Sequence, residues 1–256
     1  MARVFVTGSA DGLGLMAARL LVEQGHRVVV HGRNAQRAAE AQRRSGAQDA
    51  VYGDLASIAQ TLELAGQVNA VARMDAVIHN AGVGYREGER GNTEDGLPLV
   101  FAVNTVSTYL LTCLIERPAR LVYLSSGMHY GARLNIEDIA WNHRTWSGSQ
   151  AYAETKLHVA MLAFAAARRW PHVLSNAVDP GWVPTRMGGG GAPDDLDQGH
   201  RTQVWLATSA DPDARVSGRL FRHERQREAN PVARDVAQQE RLLEALGRIS
   251  GVTFPD

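Results

Sequence analysis

Short uninterrupted apolar runs, each followed by a stretch with helical spacing, recur through the first half of the chain. Val4-Phe5-Val6, Val28-Val29-Val30, Ala50-Val51-Tyr52, Ala76-Val77-Ile78 and Leu121-Val122-Tyr123-Leu124 read as strands. Helical patterns occupy residues 13–24, 34–44, 58–72 and 99–115. In the first of these Leu15, Ala18 and Val22 share a face, and the second opens on Asn34, a suitable N-cap. A strand that is apolar at every position has no side to offer water, so it belongs in a parallel sheet covered on both faces. Right-handed crossovers then wind the chain into an α/β doubly wound parallel sheet. The second half continues the theme with a helix over 151–170, a sixth strand over 173–178, a short seventh at Leu220-Phe221 and a helix over 232–249. No repeat or linker divides the 256 residues, and the Gly188–Gly191 run is too short to separate domains, so a single domain is expected.

Charge and cysteine content remove several classes of function. Lys+Arg and Asp+Glu are both 27, which leaves no net field to attract nucleic acid or an anionic membrane. A lone cysteine, Cys113, excludes an internal disulfide framework and a Cys-rich metal site, and it suits a reducing, cytoplasmic setting. None of the nine histidines forms a His-Glu-x2-His pattern, so no metal is expected. The N-terminus lacks the apolar core of a signal peptide. Residues 97–115 carry no charge, yet Pro98, Asn104, Thr105, Ser107, Thr108 and Thr112 make a membrane span costly and a buried helix the better reading.

Thr7-Gly8-Ser9-Ala10-Asp11-Gly12-Leu13-Gly14 joins the first strand to the first helix. Glycines there allow a tight turn and let a pyrophosphate approach the outward-pointing N–H groups of the helix start. At the end of the second strand, where NAD-binding folds usually carry an acid for the ribose, the sequence reads His31-Gly32-Arg33-Asn34. A guanidinium pairs with a 2′-phosphate that a carboxylate would repel, so Arg33 favours NADP(H) over NAD(H), unless it is simply a solvated charge at a helix start.

Of the 27 basic residues 26 are arginine, and the single lysine, Lys156, stands four residues after Tyr152. Residues i and i+4 share a helix face. An ammonium held there would stabilise a phenolate and lower its pKa, letting Tyr152 exchange a proton with a carbonyl or alcohol. Ser125 and Ser126 close the fifth strand, at the sheet edge where ligands of such folds bind, and a hydroxyl there would orient the substrate oxygen.

With these residues assembled, the chain resembles the short-chain dehydrogenase/reductase family over nearly its whole length, which implies a Rossmann-type fold. Residues 7–14 look like that family's cofactor turn, with Gly8, Ser9, Asp11, Gly12, Leu13 and Gly14 at the nucleotide. Asp54-Leu55 looks like its adenine-contacting pair. His79-Asn80-Ala81-Gly82 looks like the Asn-Asn-Ala-Gly motif with His in first place, and the resemblance puts Asn80, Ala81 and Gly82 at the cofactor. Asn104 falls where the family keeps an asparagine that supports a proton-relay water. Ser126, Tyr152 and Lys156 match its catalytic set, the last two also touching cofactor. The run Pro180-Gly181-Trp182-Val183-Pro184-Thr185 matches the motif at the nicotinamide, implicating Pro180, Gly181, Val183 and Thr185. Thr93-Glu94-Asp95-Gly96, Ser125-Ser126-Gly127-Met128-His129 and Ser217-Gly218-Arg219-Leu220-Phe221 resemble the retinol-dehydrogenase-like branch, as does the long gap between Ser126 and Tyr152. The resemblance favours Ser126 over Ser125 as the orienting serine.

The expectation is therefore an NADP(H)-dependent oxidoreductase acting on a carbonyl or alcohol, with Tyr152 as general acid/base. The rival is a regulator that binds NADP(H) without turnover, for which a tuned phenol would have no use. Residues 127–149 and 187–200 are expected to be substrate-loop segments, the second a mobile lid. His129, His143, Trp141 and Trp146 in the first either touch substrate or anchor the loop. The resemblance makes a homodimer or homotetramer plausible, with residues 99–115 and 151–170 as candidate contacts.

Overall fold

The computed structural model describes residues 1–86 and 88–256. Eight strands form one sheet: β1 (Arg3–Val6), β2 (Arg27–Gly32), β3 (Asp49–Tyr52), β4 (Ala76–His79), β5 (Arg120–Leu124), β6 (Leu174–Val178), β7 (Leu220–Arg222) and β8 (Arg225–Arg227). Their order is β3-β2-β1-β4-β5-β6-β7-β8, and every pairing is parallel except the closing β7–β8 hairpin. The doubly wound α/β sheet expected from the apolar runs is what forms. Phe5 lies between Val29 and Val77 in register, so side chains at every second position build one core while their neighbours build the other. Phe5, Val29, Val77, Leu121, Ala177 and Leu220 face one way; Val4, Val6, Val28, Val30, Ile78, Val122 and Val178 face the other.

Helices α1 (Gly12–Glu23), α2 (Ala35–Ser45) and α7 (Gln198–Thr208) cover the second face, and α3 (Ile58–Val71), α5 (Ser107–Leu114), α6 (Gly148–Arg169) and α8 (Val236–Ser250) the first. Side-chain caps start most of them. Asp11, Asn34, Ser57, Ser147 and Asp235 each accept a first-turn N–H, and Gly46 and Gly251 end α2 and α8 in the left-handed conformation.

Three differences from the sequence reading concern the site. The helix expected over 99–115 forms but is widened within: after α4 (Leu99–Phe101), residues Ala102–Val106 make a π turn, in which Ser107 N–H donates to Ala102 C=O, and α5 continues it. Such one-turn widenings are common at functional sites. Second, α7 begins inside the segment read as a lid. Third, Ala151 through Ala166 of α6 are all buried within one chain, because α8 and the preceding 3₁₀ turn Pro231–Arg234 pack over them. The C-terminal stretch completes this cover. Tyr109 Oη donates to Val252 C=O at 2.7 Å, Phe254 stacks on Trp170 at 4.8 Å, and Trp170 Nε1 donates to Pro255 C=O at 3.2 Å. A face already covered by its own chain is poorly placed to bind a second copy, which bears on the contact proposed for residues 151–170. No helix among the described residues is long and apolar enough to cross a membrane.

Candidate active site

At the end of β1 the chain turns through Gly8 (φ +62°) and Gly12 (φ +53°) into α1. A Cβ on Gly8 would stand 2.8 Å from Ala81 Cα, and one on Gly14 would stand 2.4 Å from Asn80 Nδ2, so glycine is required by close approach at both. Asn80 explains the crowding: its Nδ2 donates to Thr7 C=O and Gly8 C=O at 3.0 and 3.3 Å, tying β4 to the turn. Thr7 Oγ1 accepts the Ala81 N–H at 2.9 Å. Ser9 turns its hydroxyl inward, donating to Val6 C=O and accepting His31 N–H at 2.7 Å, so its side chain serves the turn itself. Asp11 caps Gly12 N–H with its own carboxylate at 2.9 Å. The Leu13 and Gly14 N–H groups, lacking carbonyls one turn back, are the donors a phosphate would meet.

His31 is a functional residue the sequence reading passed over. Its Nδ1 accepts the Gly8 N–H at 2.9 Å while Nε2 lies 2.9 Å from Gly53 C=O, so the ring is neutral with its proton on Nε2. Burial lowers its pKa, against smaller opposing effects of Gly53 and Asp54. Only the unusual His at the strand end could have signalled it. Arg33, next along, is exposed and makes no side-chain bond among the described residues. Asp54 Oδ1 accepts Ala56 N–H at 2.9 Å and Leu55 is buried behind it.

Across the sheet, α6 begins on Ser147 and presents Tyr152 and Lys156 one turn apart, the ammonium 5.5 Å from the phenol ring centre. Ser125 and Ser126, adjacent at the end of β5, part company. Ser125 is buried and gives its hydroxyl to Lys156 C=O at 2.8 Å. Ser126 stands close enough to the Tyr152 phenol to favour its ionised form and accepts Met128 N–H at 3.3 Å. Lys156 Nζ donates to Leu124 C=O at 2.8 Å, and a Cβ on Gly82 would stand 3.3 Å from it. Asn104, on the π turn, accepts Val83 N–H at 2.8 Å and donates to Val83 C=O and Thr155 Oγ1, so its amide locks the Gly82–Val83 loop to α6.

The electrostatics differ from the expectation of an acidified phenol. Burial pushes Tyr152 up to about 12; the neighbouring Ser126 hydroxyl opposes this and the Asp179 charge adds to it. Burial also pushes Lys156 down to about 8. In a site of low polarity the cost of charging each group exceeds the attraction between them, so phenol and ammonium both lean toward neutrality.

Beside the phenol lies an apolar wall. Val100, Trp141, Ala151 and Tyr152 pack together with Val83, Tyr85 and Trp146, and Tyr85 meets Tyr152 edge-on at 5.7 Å. Trp141 holds a left-handed backbone (φ +56°), a costly state for an aromatic residue. It is held there by Arg144 stacked at 3.7 Å and by Glu154, which accepts its indole N–H at 3.1 Å. Glu154, two residues past Tyr152, also takes both Arg144 nitrogens at 2.8 and 2.9 Å, and Arg144 reaches Asp138 at 3.2 Å. The two tryptophans thus both wall the cleft and anchor the loop. His129 is fully buried, with Nδ1 2.6 Å from Ser126 C=O and Nε2 accepting Asn230 N–H, so it supports the serine from behind. His143 is exposed.

The segment 180–194 is folded back on itself. Trp182 N–H donates to Asp194 at 2.6 Å, Arg222 pairs with Asp194 at 2.9 Å, and Thr185 Oγ1 accepts Gly188 N–H at 3.2 Å. Val183 is buried, Gly181 is left-handed (φ +83°) and Pro180 is half-buried above β6. Gly199 lets α7 close on both sides of the cleft: a Cβ there would stand 2.9 Å from Leu13 and 3.1 Å from Val183. Among the described residues no cluster of three or more His, Cys, Asp or Glu could hold a metal. The glycine cradle, the unencumbered donors of α1 and the free Arg33 together fit a nicotinamide dinucleotide, with its phosphates at α1.

Known proteins resemble this chain in sequence and in fold. Residues 2–195 match the family described as short chain dehydrogenase. The chain is 44% identical over 260 residues to an uncharacterized oxidoreductase of Emericella nidulans, covering 100% of this chain and 99% of the other. It is 29% identical over 200 residues to retinol dehydrogenase 13 of Homo sapiens, covering 72% and 60% respectively, which supports the retinol-dehydrogenase-like resemblance. Among solved structures, an uncharacterized protein from Mycobacterium paratuberculosis superposes with a TM-score of 0.85 over 100% of this chain and 96% of that one, at 24% identity. The Pseudomonas aeruginosa RhlG/NADP active-site complex superposes at 0.68 over 86% and 93%, at 23% identity. The chain therefore belongs to the short-chain dehydrogenase/reductase family of oxidoreductases.

Proposed function

We propose that this oxidoreductase moves a hydride between NADP(H) and an apolar carbonyl or alcohol, with Tyr152 as the proton-transferring group. The observation that carries the reading is the meeting of three side chains from two elements: Ser126 beside the Tyr152 phenol, with the only lysine of the chain one helical turn behind it.

A bound nicotinamide nucleotide supplies or removes the hydride. In the reducing direction Tyr152 Oη gives its proton to the carbonyl oxygen as negative charge builds there, and Ser126 Oγ–H donates to the same oxygen, fixing its position. A phenol held at about 12 keeps its proton at neutral pH and so is loaded to act as an acid. Lys156, held by Leu124 C=O, restrains the charge left on the phenolate. Asn104 keeps the Gly82–Val83 loop and α6 in register. The aromatic wall excludes water and favours flat apolar substrates. Gly8, Ser9, Asp11, Gly12, Leu13 and Gly14 form the phosphate turn. Asp54, Leu55, Asn80, Ala81 and Gly82 lie toward the adenosine and ribose side, and Pro180, Gly181, Val183 and Thr185 toward the nicotinamide. Arg33, unpaired at the end of β2, suits a 2′-phosphate and hence NADP(H).

A pure cofactor sensor is not favoured, because Ser126 and Tyr152 stand together beside an apolar cluster rather than on the nucleotide turn. Assay with NADPH and aryl ketones tests the proposal. Tyr152→Phe should remove turnover and leave NADPH affinity unchanged, and Arg33→Ala should weaken NADPH but not NADH. Binding of NADPH by wild-type protein with no turnover on any ketone, aldehyde or quinone would favour the sensor.

A further inference from the structure

Asp179 is the one carboxylate of the cleft that the chemistry above does not use. It follows β6, is only 4% exposed, and its backbone is held by Phe221 C=O at 2.8 Å. One oxygen, Oδ1, accepts Gly181 N–H at 3.0 Å. The other, Oδ2, has no hydrogen-bond partner among the described residues. It is also not sealed in: the sealed, unpartnered polar side-chain atoms among those residues belong to His79, His158, His200, Gln203 and His223. Oδ2 lies against the main chain beside Ser126, since a Cβ on Gly127 would stand 3.3 Å from it.

Among the described residues no cation forms an ion pair with it. Arg222, the arginine that reaches the neighbouring loop, pairs with Asp194 instead. The groups that feel the Asp179 carboxylate are His129, whose Nε2 lone pair is taken by Asn230 N–H, and the phenols of Tyr130 and Tyr152. A nearly buried carboxylate with an empty acceptor site is costly unless something donates to it. The other buried carboxylate among the described residues, Glu154, is satisfied: it accepts from Trp141, Arg144 and Gln150.

We infer that Asp179 is a specificity-determining residue: its Oδ2 accepts a hydrogen bond from a hydroxyl or protonated amine that the substrate carries close to its reacting carbonyl. This rests on the reductase reading above and narrows it to donor-bearing ketones. A plain ketone leaves the carboxylate without its partner, and sites built around such a bond discriminate strongly against analogues that lack it.

The test compares NADPH-dependent reduction of acetophenone, 2-hydroxyacetophenone and 2-aminoacetophenone by wild type and Asp179→Asn. Asparagine keeps an oxygen for Gly181 N–H and places an amide N–H where Oδ2 was. Wild type should favour the hydroxy and amino ketones over acetophenone by about tenfold or more in kcat/KM. Asp179→Asn should erase that preference, mainly by raising KM for the hydroxy and amino ketones. A wild-type enzyme that reduces all three alike overturns the inference while leaving the reductase reading intact. So does a variant that slows all three equally, or one that changes only the ratio of NADP⁺ to NADPH affinities, which would assign Asp179 to the cofactor. Turnover of none of the three, with Tyr152→Phe no different from wild type, overturns both.

Discussion

Ser125 Oγ donates to the carbonyl of Lys156 across the β5–α6 boundary at 2.8 Å, which leaves Ser126 alone to face the phenol. Two adjacent serines thus have separate duties, one joining strand to helix and one in the cleft. Ser126→Ala should lower kcat about a hundredfold, as loss of an oxyanion donor does, with melting temperature unchanged. Ser125→Ala should cost about 1 kcal/mol of stability and keep most of kcat. Steady-state kinetics and thermal melts of the two variants check the division.

The state of Tyr152 can be read by ultraviolet titration, as wild type minus Tyr152→Phe. Without cofactor its phenol should ionise near 12 rather than below 10. Because the folded value is raised, stability is full below the ordinary phenol pKa and falls as pH climbs from about 10 towards 12. Lys156 acts oppositely: folded near 8 against 10.5, it makes stability rise with pH between those values. Adding NADP⁺ should draw the phenol down, since a cation beside it favours phenolate.

Gly8 N–H points at His31 Nδ1, so protonating that ring removes the acceptor that shapes the nucleotide turn. The folded pKa is lowered, so this support is complete above the ordinary histidine value near 6.5 and is lost as pH falls below it. NADP⁺ affinity measured by calorimetry should weaken on acidification. His31→Ala should weaken it about tenfold at neutral pH, about the worth of one hydrogen bond. His31→Asn, which keeps an acceptor at the Nδ1 position, should restore most of the affinity and flatten its pH dependence. His79 and His158, both driven to about 3 by burial, add acid sensitivity of the same sign to the whole fold.

Glu154 should matter to the wall rather than to proton transfer. Glu154→Gln leaves Arg144 without its buried counter-charge; solvent at Arg144 tempers the loss, which should be about 2–3 kcal/mol. Limited trypsin digestion should then cut first at Arg133 or Arg144, and KM for aryl ketones should rise more than kcat falls.

Much of this was legible in the residues. Continuous apolar strands gave the parallel sheet, and the lone Lys156 pointed to Tyr152 because helical spacing is a local property. Only the family resemblance favoured Ser126 over Ser125; the residues themselves gave no reason, since what separates the two is the Lys156 carbonyl 31 positions away. Asn104 was placed, but its π turn was not, because a widened turn leaves the apolar spacing of residues 99–115 almost unchanged. The start of α7 fell inside the 187–200 segment read as a lid and the rest of it drew no reading, since the mixed polar pattern of residues 198–208 hides the apolar strip of that helix. The acidified phenol was overestimated because sequence spacing reports the charge pair and says nothing of the water both groups lose. Asp179 carried no pattern at all: its meaning comes from the arginine that goes elsewhere.

Val252, Phe254 and Pro255 close over Tyr109 and Trp170, and α8 closes over α6. A ribosome therefore makes the reactive helix long before it makes the segment that shields it. Until residues 252–255 emerge, a broad greasy flank stays open to chaperones and to other nascent chains. Maturation of the enzyme must wait for that segment, and products cut short near residue 250 should be cleared rather than accumulate as partly active protein.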